Sequence, residues 1–309
     1  MQLSEQPAEA SLSPPDPVCR RESLPAGPDQ AALGDFLQGA RIRTSDGRIL
    51  GWVGDGGFPY DEATVLLARL GVATGWPETA RLSSVIAGQV ARQGWLGRDG
   101  LGYVFDSALV LGLPGEHGPL RDRVLVALRA GRALMGQDNR DRWSQRFGPH
   151  LIKAAAEAGE PRVVEHLVEA TYRGGRFYVA PGSSETYLHS HCYAVEGLVA
   201  LGGYEAVVRE ALDWLVERQH ADGSWPAWVG RADARRPSDV VAQAVRLFRG
   251  VDVERYQRAI ELGLGRLRAM QSPSGGLRYT PGSEHVNVWA SIFAADALSR
   301  RAGERHRFV

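Results

Sequence analysis

The sequence predicts an all-α protein, a closed (α/α)6 toroid of about six helical hairpins with a solvent-accessible cavity at one end. Three observations carry this. First, six segments repeat one design, in which a polar Gly/Pro-rich loop opens directly into a small, apolar helix: 56–71, 100–113, 143–159, 187–203, 235–250 and 282–300. With Glu62, Asp106, His150, Tyr193, Asp239 and Asn287 as anchors, the steps are 44, 44, 43, 46 and 48 residues. Second, longer amphipathic helices lie between them, apolar every three to four positions, with Arg and Glu on the other face. Third, the chain stops soon after its last apolar helix, whereas an open solenoid of hairpins calls for polar end caps.

Element by element, residues 1–28 are rich in Pro, Ser and acidic residues and are expected to be a disordered lead-in, and no basic start followed by an apolar run suggests a secretory signal. One toroid domain is expected over 29–309. Its first outer helix is expected at 30–40, and further outer helices at 79–95, 120–137, 205–219 and 253–271. The repeated segments between them, rich in Ala, Val and Leu with few charges past the first turn, would form the inner ring.

The 309 residues are 44% hydrophobic and 23% charged, enough for a sizeable core. Lys+Arg and Asp+Glu balance at 36 each, which argues against binding nucleic acid by phosphate neutralisation. No apolar run approaches the roughly 18–20 residues of a membrane span, and a cytoplasmic location is expected. Cys19 and Cys192 do not make a disulfide framework. The GxG pieces do not follow strands, so no dinucleotide or P-loop site is read and no cofactor is expected.

The segment 211–225 (ALDWLVERQHADGSW) resembles the QW repeat of the terpenoid cyclase and protein prenyltransferase superfamily, with Gln219, Asp222, Gly223, Ser224 and Trp225 matching its core. Glu210 stands where the repeat normally opens on a basic residue. A weaker copy covers 263–277, and a still weaker one surrounds Gln137 and Trp143. In that superfamily these residues tie outer-helix ends to the following loop, so the resemblance implies fold rather than activity. Its DxDD-type acid run is reduced here to Asp106 in VFDSA, and DDxxD, the prenyltransferase zinc set and the paired cysteines of lanthionine cyclases are not evident. A second resemblance covers most of the chain: GGFPYDEAT, RFGPHLIKA, HSHCYAVEGL and HVNVWASIFAADAL look like toroid proteins associated with polysaccharide biosynthesis. It implies a glycan or sugar-derived substrate.

In a toroid the loops entering the inner helices converge on one mouth, where the helix N-termini present unpaired N–H groups. The richest cluster there is Tyr187, His189, His191, Cys192 and Tyr193, with Glu196 a turn on. His189 and His191 would share a side if the chain were extended before the helix, and histidine is the usual proton shuttle near neutral pH. The structural alternative has the histidines capping the helix and Cys192 in the core. A zinc site at His189, His191 and Cys192 is conceivable, but its spacing is unlike the usual ones. His285 at a helix entrance is a further catalytic candidate, with Asn287 and Trp289 as cavity residues; the alternative is an Asn287 or Glu284 N-cap with Trp289 in the core. Asp106 is a candidate acid, and Glu62 and Asp239 occupy equivalent entrances, where each carboxylate also suits the helix dipole and Ser238 reads as an N-cap. Tyr60, His150 and Arg146 complete the substrate-binding candidates, and Lys153 is unusual in an inner helix.

Three functions compete. The first is an enzyme acting on a glycan or sugar-derived substrate by His/carboxylate acid–base chemistry, of epimerase, lyase or hydrolase type. The second is a cyclase for an isoprenoid, and the third a non-catalytic binding toroid. The expected partner is a small molecule or glycan, not nucleic acid.

Overall fold

A computed structural model of the chain describes residues 27–98, 100–135 and 148–299. Residues 1–26 of the expected lead-in, Cys19, Arg146 and the weak repeat around Gln137 and Trp143 lie outside the described residues. Among the described residues, twelve α-helices alternate between two rings. The inner ring is α2 (Asp61–Thr74), α4 (Val104–Leu109), α6 (His150–Glu157), α8 (Leu188–Leu201), α10 (Ser238–Val251) and α12 (Val288–Ser299). The outer ring is α1 (Gln30–Gln38), α3 (Thr79–Gln93), α5 (Gly118–Arg129), α7 (Pro161–Thr171), α9 (Glu205–Glu217) and α11 (Gln257–Met270). Each inner helix touches the next, and α12 packs against α2, so the ring is closed. The toroid is therefore the fold, as the repeat spacing predicts.

Composition explains the two rings. α10 is buried almost throughout, because its neighbours cover every face. α7 buries only Val164 and Thr171 and leaves its Arg and Glu to water. Inner helices approach closely where side chains vanish: a Cβ on Gly197 of α8 would sit 2.7 Å from the Lys153 backbone of α6.

Glutamines stitch the outer ring. Gln219 Nε2 donates to the Gly223 carbonyl (3.4 Å) and, across the ring, to the Ala259 carbonyl of α11 (3.0 Å). Trp225 is fully buried and donates to the Leu215 carbonyl at 2.7 Å. Gly223 turns with φ 80°, and a Cβ there would lie 2.1 Å from the Leu262 carbonyl oxygen, so the repeat needs glycine. Gln271 repeats the device at the seam: its Nε2 donates to the Gly275 and Asp29 carbonyls, and its Oε1 accepts the Asp29 N–H. Asp29 also N-caps α1 through the N–H groups of Ala31 and Ala32. The QW-like repeat is thus structural here too. On the mouth face, β1 (Trp52–Val53) pairs antiparallel with β9 (Val286–Asn287), which also pairs with β8 (Leu277–Arg278), joining the first hairpin to the last. Three two-stranded pairs complete that face: β2 (Gly97–Arg98) with β3 (Leu101–Gly102), β4 (Tyr172–Arg173) with β5 (Arg176–Phe177), and β6 (Thr186–Tyr187) with β7 (Trp228–Val229). Among the described residues no helix is long and apolar enough to cross a membrane.

Candidate active site

A cavity of about 540 Å³ opens where the inner-helix N-termini meet. Glu62, Asp106, His150, Tyr193 and Asp239 line it, each from a different inner helix, together with Tyr60, Tyr187, His189 and Trp289. Rings from Trp52, Phe58, Tyr103, Phe105, Trp228 and Tyr279 fill the wall between them. The remaining lining residues are Arg98, Ser190, Arg231 and Arg235, so among the described residues no aliphatic side chain belongs to the lining.

Two poles of chemistry stand out. At the first, Glu62 accepts hydrogen bonds from the hydroxyls of both Tyr60 and Tyr193. Burial, and next the charge of Glu62, push both phenols well above their ordinary range, so they remain donors. Asp106 stands beside this group on α4. Burial pushes its carboxyl well above the usual carboxylate range, Glu62 and Asp61 add to the rise, and Arg98 opposes it. Asp106 therefore keeps its proton to higher pH than an ordinary carboxyl, and it lines an aromatic-walled space. Phe105, its neighbour, meets Tyr193 at 4.6 Å and His150 at 4.9 Å between ring centroids.

At the second pole, His189 Nδ1 lies 3.6 Å from Asp239 Oδ2, and that oxygen also accepts the Trp289 indole N–H at 3.3 Å. Asp239 Oδ1 accepts its neighbour's N–H, from Val240 at 2.8 Å. The carboxylate is thus held by two N–H groups, and its Oδ2 lies beside His189 Nδ1 but beyond hydrogen-bond distance of it.

The structure places five site candidates, His191, Cys192, Glu196, His285 and Asn287, outside the cavity lining. α8 starts at Leu188, so His189 and His191 are two helical positions apart and face nearly opposite ways. His191 is fully buried between Phe177 and Trp214, accepts the Phe177 N–H at Nδ1 (3.3 Å), and is pushed down to about 4 by burial. It packs the inner ring onto the outer one. Cys192 is also fully buried away from the cavity, its thiol raised by burial and then by Glu196. The three residues weighed as a zinc site therefore diverge. Glu196 lies deeper, where burial raises its carboxyl but Arg246 and Lys153 outweigh this and hold it below the ordinary range. His285 stands behind the wall, its ring 5.9 Å from Trp52, and does not line the cavity. Asn287 caps α12 by accepting the Ala290 N–H at 3.0 Å, the alternative weighed above. Ser238 is the first residue of α10 and its side chain does not cap the helix.

Glu196 belongs to a second tier. Glu157 meets Arg69 at 2.8 Å and Lys153 at 3.5 Å, Lys153 meets Glu196 at 3.3 Å, and Arg246 joins Glu196 to Asp296 at 3.5 Å. These residues come from α2, α6, α8, α10 and α12 and form a buried ionic girdle beneath the cavity. Three positive and three negative groups balance within it.

Sequence reasoning missed Trp52, Phe58, Arg98, Ser190, Arg231 and Arg235. Trp52 and Arg98 sit on β1 and β2, short strands leading into inner helices, as Trp228 sits on β7. Position upstream of the anchors was the available signal.

No protein-family model matches the chain, and no curated protein matches it in sequence. Solved structures do. A variant of type II terpene cyclase MstE from Scytonema, in complex with geranylgeranyl dihydroxybenzoate, aligns at TM-score 0.63 and 15% identity, covering 87% of this chain and 95% of that one. The chain shares the α/α-toroid fold. A possible GH105 family member from Klebsiella pneumoniae aligns at TM-score 0.59 and 15% identity over 96% of this chain and 98% of its own. A polysaccharide lyase aligns at 0.57 and 13% identity over 87% and 97%.

Proposed function

We propose that the chain is an enzyme acting on a saccharide by acid–base chemistry, with Asp106 as proton donor and His189, beside Asp239, as the opposing base. The observation that carries this reading is the lining: among the described residues, ten aromatic rings interleave with nine hydrogen-bonding side chains and no aliphatic one. Sugars present C–H faces to rings and hydroxyls to polar groups, so such a wall suits an oxygen-rich ligand. The volume lies within the ordinary range for small-ligand sites, about 300–1,000 Å³.

The step follows from the two poles. Asp106 gives its proton to the departing glycosidic oxygen as the C–O bond breaks, and becomes a carboxylate. On the other side His189 takes a proton through Nε2, either from a water whose oxygen bonds to the sugar carbon that loses the glycosidic oxygen, or from the adjacent sugar carbon, whose C–H electron pair then forms a C=C bond to it, and Asp239 balances the charge gained. Tyr60 and Tyr193 hold Glu62 in place, so its fixed charge keeps the proton on Asp106. The GH105-like and polysaccharide lyase neighbours lend support, since their names describe carbohydrate chemistry on this fold.

One observation favours a second reading. A buried neutral carboxyl facing aromatic rings can protonate an olefin, and the rings then stabilise the cation. The neighbouring cyclase is described with a geranylgeranyl substrate. The two readings separate in one experiment: purified protein is incubated with oligosaccharides and with geranylgeranyl compounds, and products are read by mass spectrometry. Cleaved or isomerised saccharide, lost in Asp106→Asn and in His189→Gln, supports the first. Cyclised prenyl product, lost in Asp106→Asn alone, replaces it.

A further inference from the structure

Charge is not spread evenly over the toroid. In the described loops of the mouth face (39–60, 94–98, 100–103, 130–135, 172–187, 218–237 and 271–287) there are twelve arginines and six carboxylates. In the loops of the opposite face (75–78, 110–117, 158–160, 202–204 and 252–256) the carboxylates are Glu78, Glu116, Glu160, Asp252 and Glu254, against Arg255 alone. Among the described loops, positive charge therefore gathers on the cavity face. The N-termini of six inner helices add their partial positive charge on the same face.

Three arginines reach the cavity itself. Arg235 is held by Asp233 at 2.6 Å. Arg98 lies among the rings of Phe58, Tyr60 and Tyr103, each 5.7–5.9 Å away. Arg231 is exposed at the rim, stacked over the Trp228 ring at 5.0 Å, with no ion-pair partner among the described residues. Trp228 in turn stacks on Tyr187 at 4.8 Å, so a cation and a two-ring platform adjoin at the entrance.

Resting on the saccharide reading, we propose that the substrate is an acidic saccharide whose carboxylate or phosphate is captured at the mouth by Arg231 while a sugar ring lies on Trp228 and Tyr187. The field of the whole mouth draws such a ligand in, and the effect weakens as salt rises. Arg231 presents a planar fork suited to two-point contact with an oxyanion.

The test is calorimetric titration of the full chain with four probes: a galacturonic-acid trisaccharide, the neutral galactose trisaccharide of the same linkage, galactose 1-phosphate and geranylgeranyl diphosphate. Each is measured at low and at 0.5 M salt, for wild type and Arg231→Gln. Arg231 is exposed, so its variant is expected to fold, and its melting curve checks this. The expected result is binding of the trigalacturonate at least tenfold tighter than the neutral trisaccharide, weakened about tenfold in Arg231→Gln and further by salt. Preference for galactose 1-phosphate over the trigalacturonate assigns the charge to phosphate. Equal binding of the acidic and neutral trisaccharides overturns the proposal and leaves the saccharide reading standing. Binding of geranylgeranyl diphosphate alone overturns both, as does the absence of binding by all four.

Discussion

Replacing Asp106 by Asn tests the acid assignment through stability as well as turnover. The side chains have the same shape, and the native site holds a neutral group in either case. The unfolded chain differs: there Asp106 ionises with the ordinary value, 3.8. In the native state burial and Glu62 keep the proton on, so its folded value is raised. A raised carboxyl contributes stability that is complete below the unfolded value and is lost as pH rises toward the folded one. Within that window wild type loses about 1.4 kcal/mol for each pH unit, and Asp106→Asn does not. Urea unfolding of both proteins at pH 4, 5, 6 and 7 isolates the effect, because every other titrating group cancels in the difference. The variant should match wild type near pH 4 and gain on it steadily above, while turnover falls by about 10²–10⁴-fold. A flat difference between pH 4 and 7 would mean that Asp106 is ionised when folded, and the proton-donor role would be lost with it. Glu62→Gln is the control, since removing that charge should narrow the window.

The other predictions concern the second pole and the inner packing. His189→Gln and Asp239→Asn should each lower turnover about 10²-fold or more with little change in melting temperature, because both sit at the cavity wall; an unchanged rate in either excludes the base assignment. His191, pushed down to about 4 from 6.5, contributes stability present above pH 6.5 and lost as pH falls toward 4, about 3 kcal/mol across the window. His191→Gln should flatten that acid limb in pH-dependent unfolding, and a limb identical to wild type would contradict the burial argument. Trp225→Ala should cost about 3–5 kcal/mol in urea unfolding while leaving ligand affinity intact, which separates the repeat's structural role from function.

The architecture was legible because it rests on periodicity. The repeat of 43–48 residues and the two helix types are properties of the chain itself, and Gln219 and Trp225 carry a spacing that survives on its own. The mouth carboxylates were legible for the same reason, since Glu62, Asp106 and Asp239 occupy the first turn of an inner helix. Facing was not legible at 187–196. One assumption, an extended stretch reaching past His191, put both histidines on one side; the helix begins earlier, at Leu188, and sends them apart. Arg98, Trp52 and Arg231 come from strands and loops whose direction only the pairing of β2 with β3, β1 with β9 and β6 with β7 decides.

One regularity joins the site to the girdle beneath it. Glu62 and Arg69, His150 and Glu157, His189 and Glu196, Asp239 and Arg246, and Trp289 and Asp296 are each seven residues apart on one inner helix. Seven residues are two turns, about 10 Å along one face. The upper member of each pair lines the cavity and the lower belongs to the ionic girdle two turns deeper. The sixth helix, α4, is too short for a second tier, and Arg69 fills in by donating to the Leu109 carbonyl at 3.2 Å. The girdle therefore ties together the five helices that carry the cavity residues. Glu196→Ala leaves Arg246 and Lys153 facing each other without their shared carboxylate, at a cost of about 3–5 kcal/mol. If the girdle sets helix rotation, ligand affinity at the mouth falls as well, although Glu196 never touches the cavity. Affinity unchanged in a folded Glu196→Ala protein would make the girdle a stabilising layer only, and the seven-residue spacing a consequence of packing.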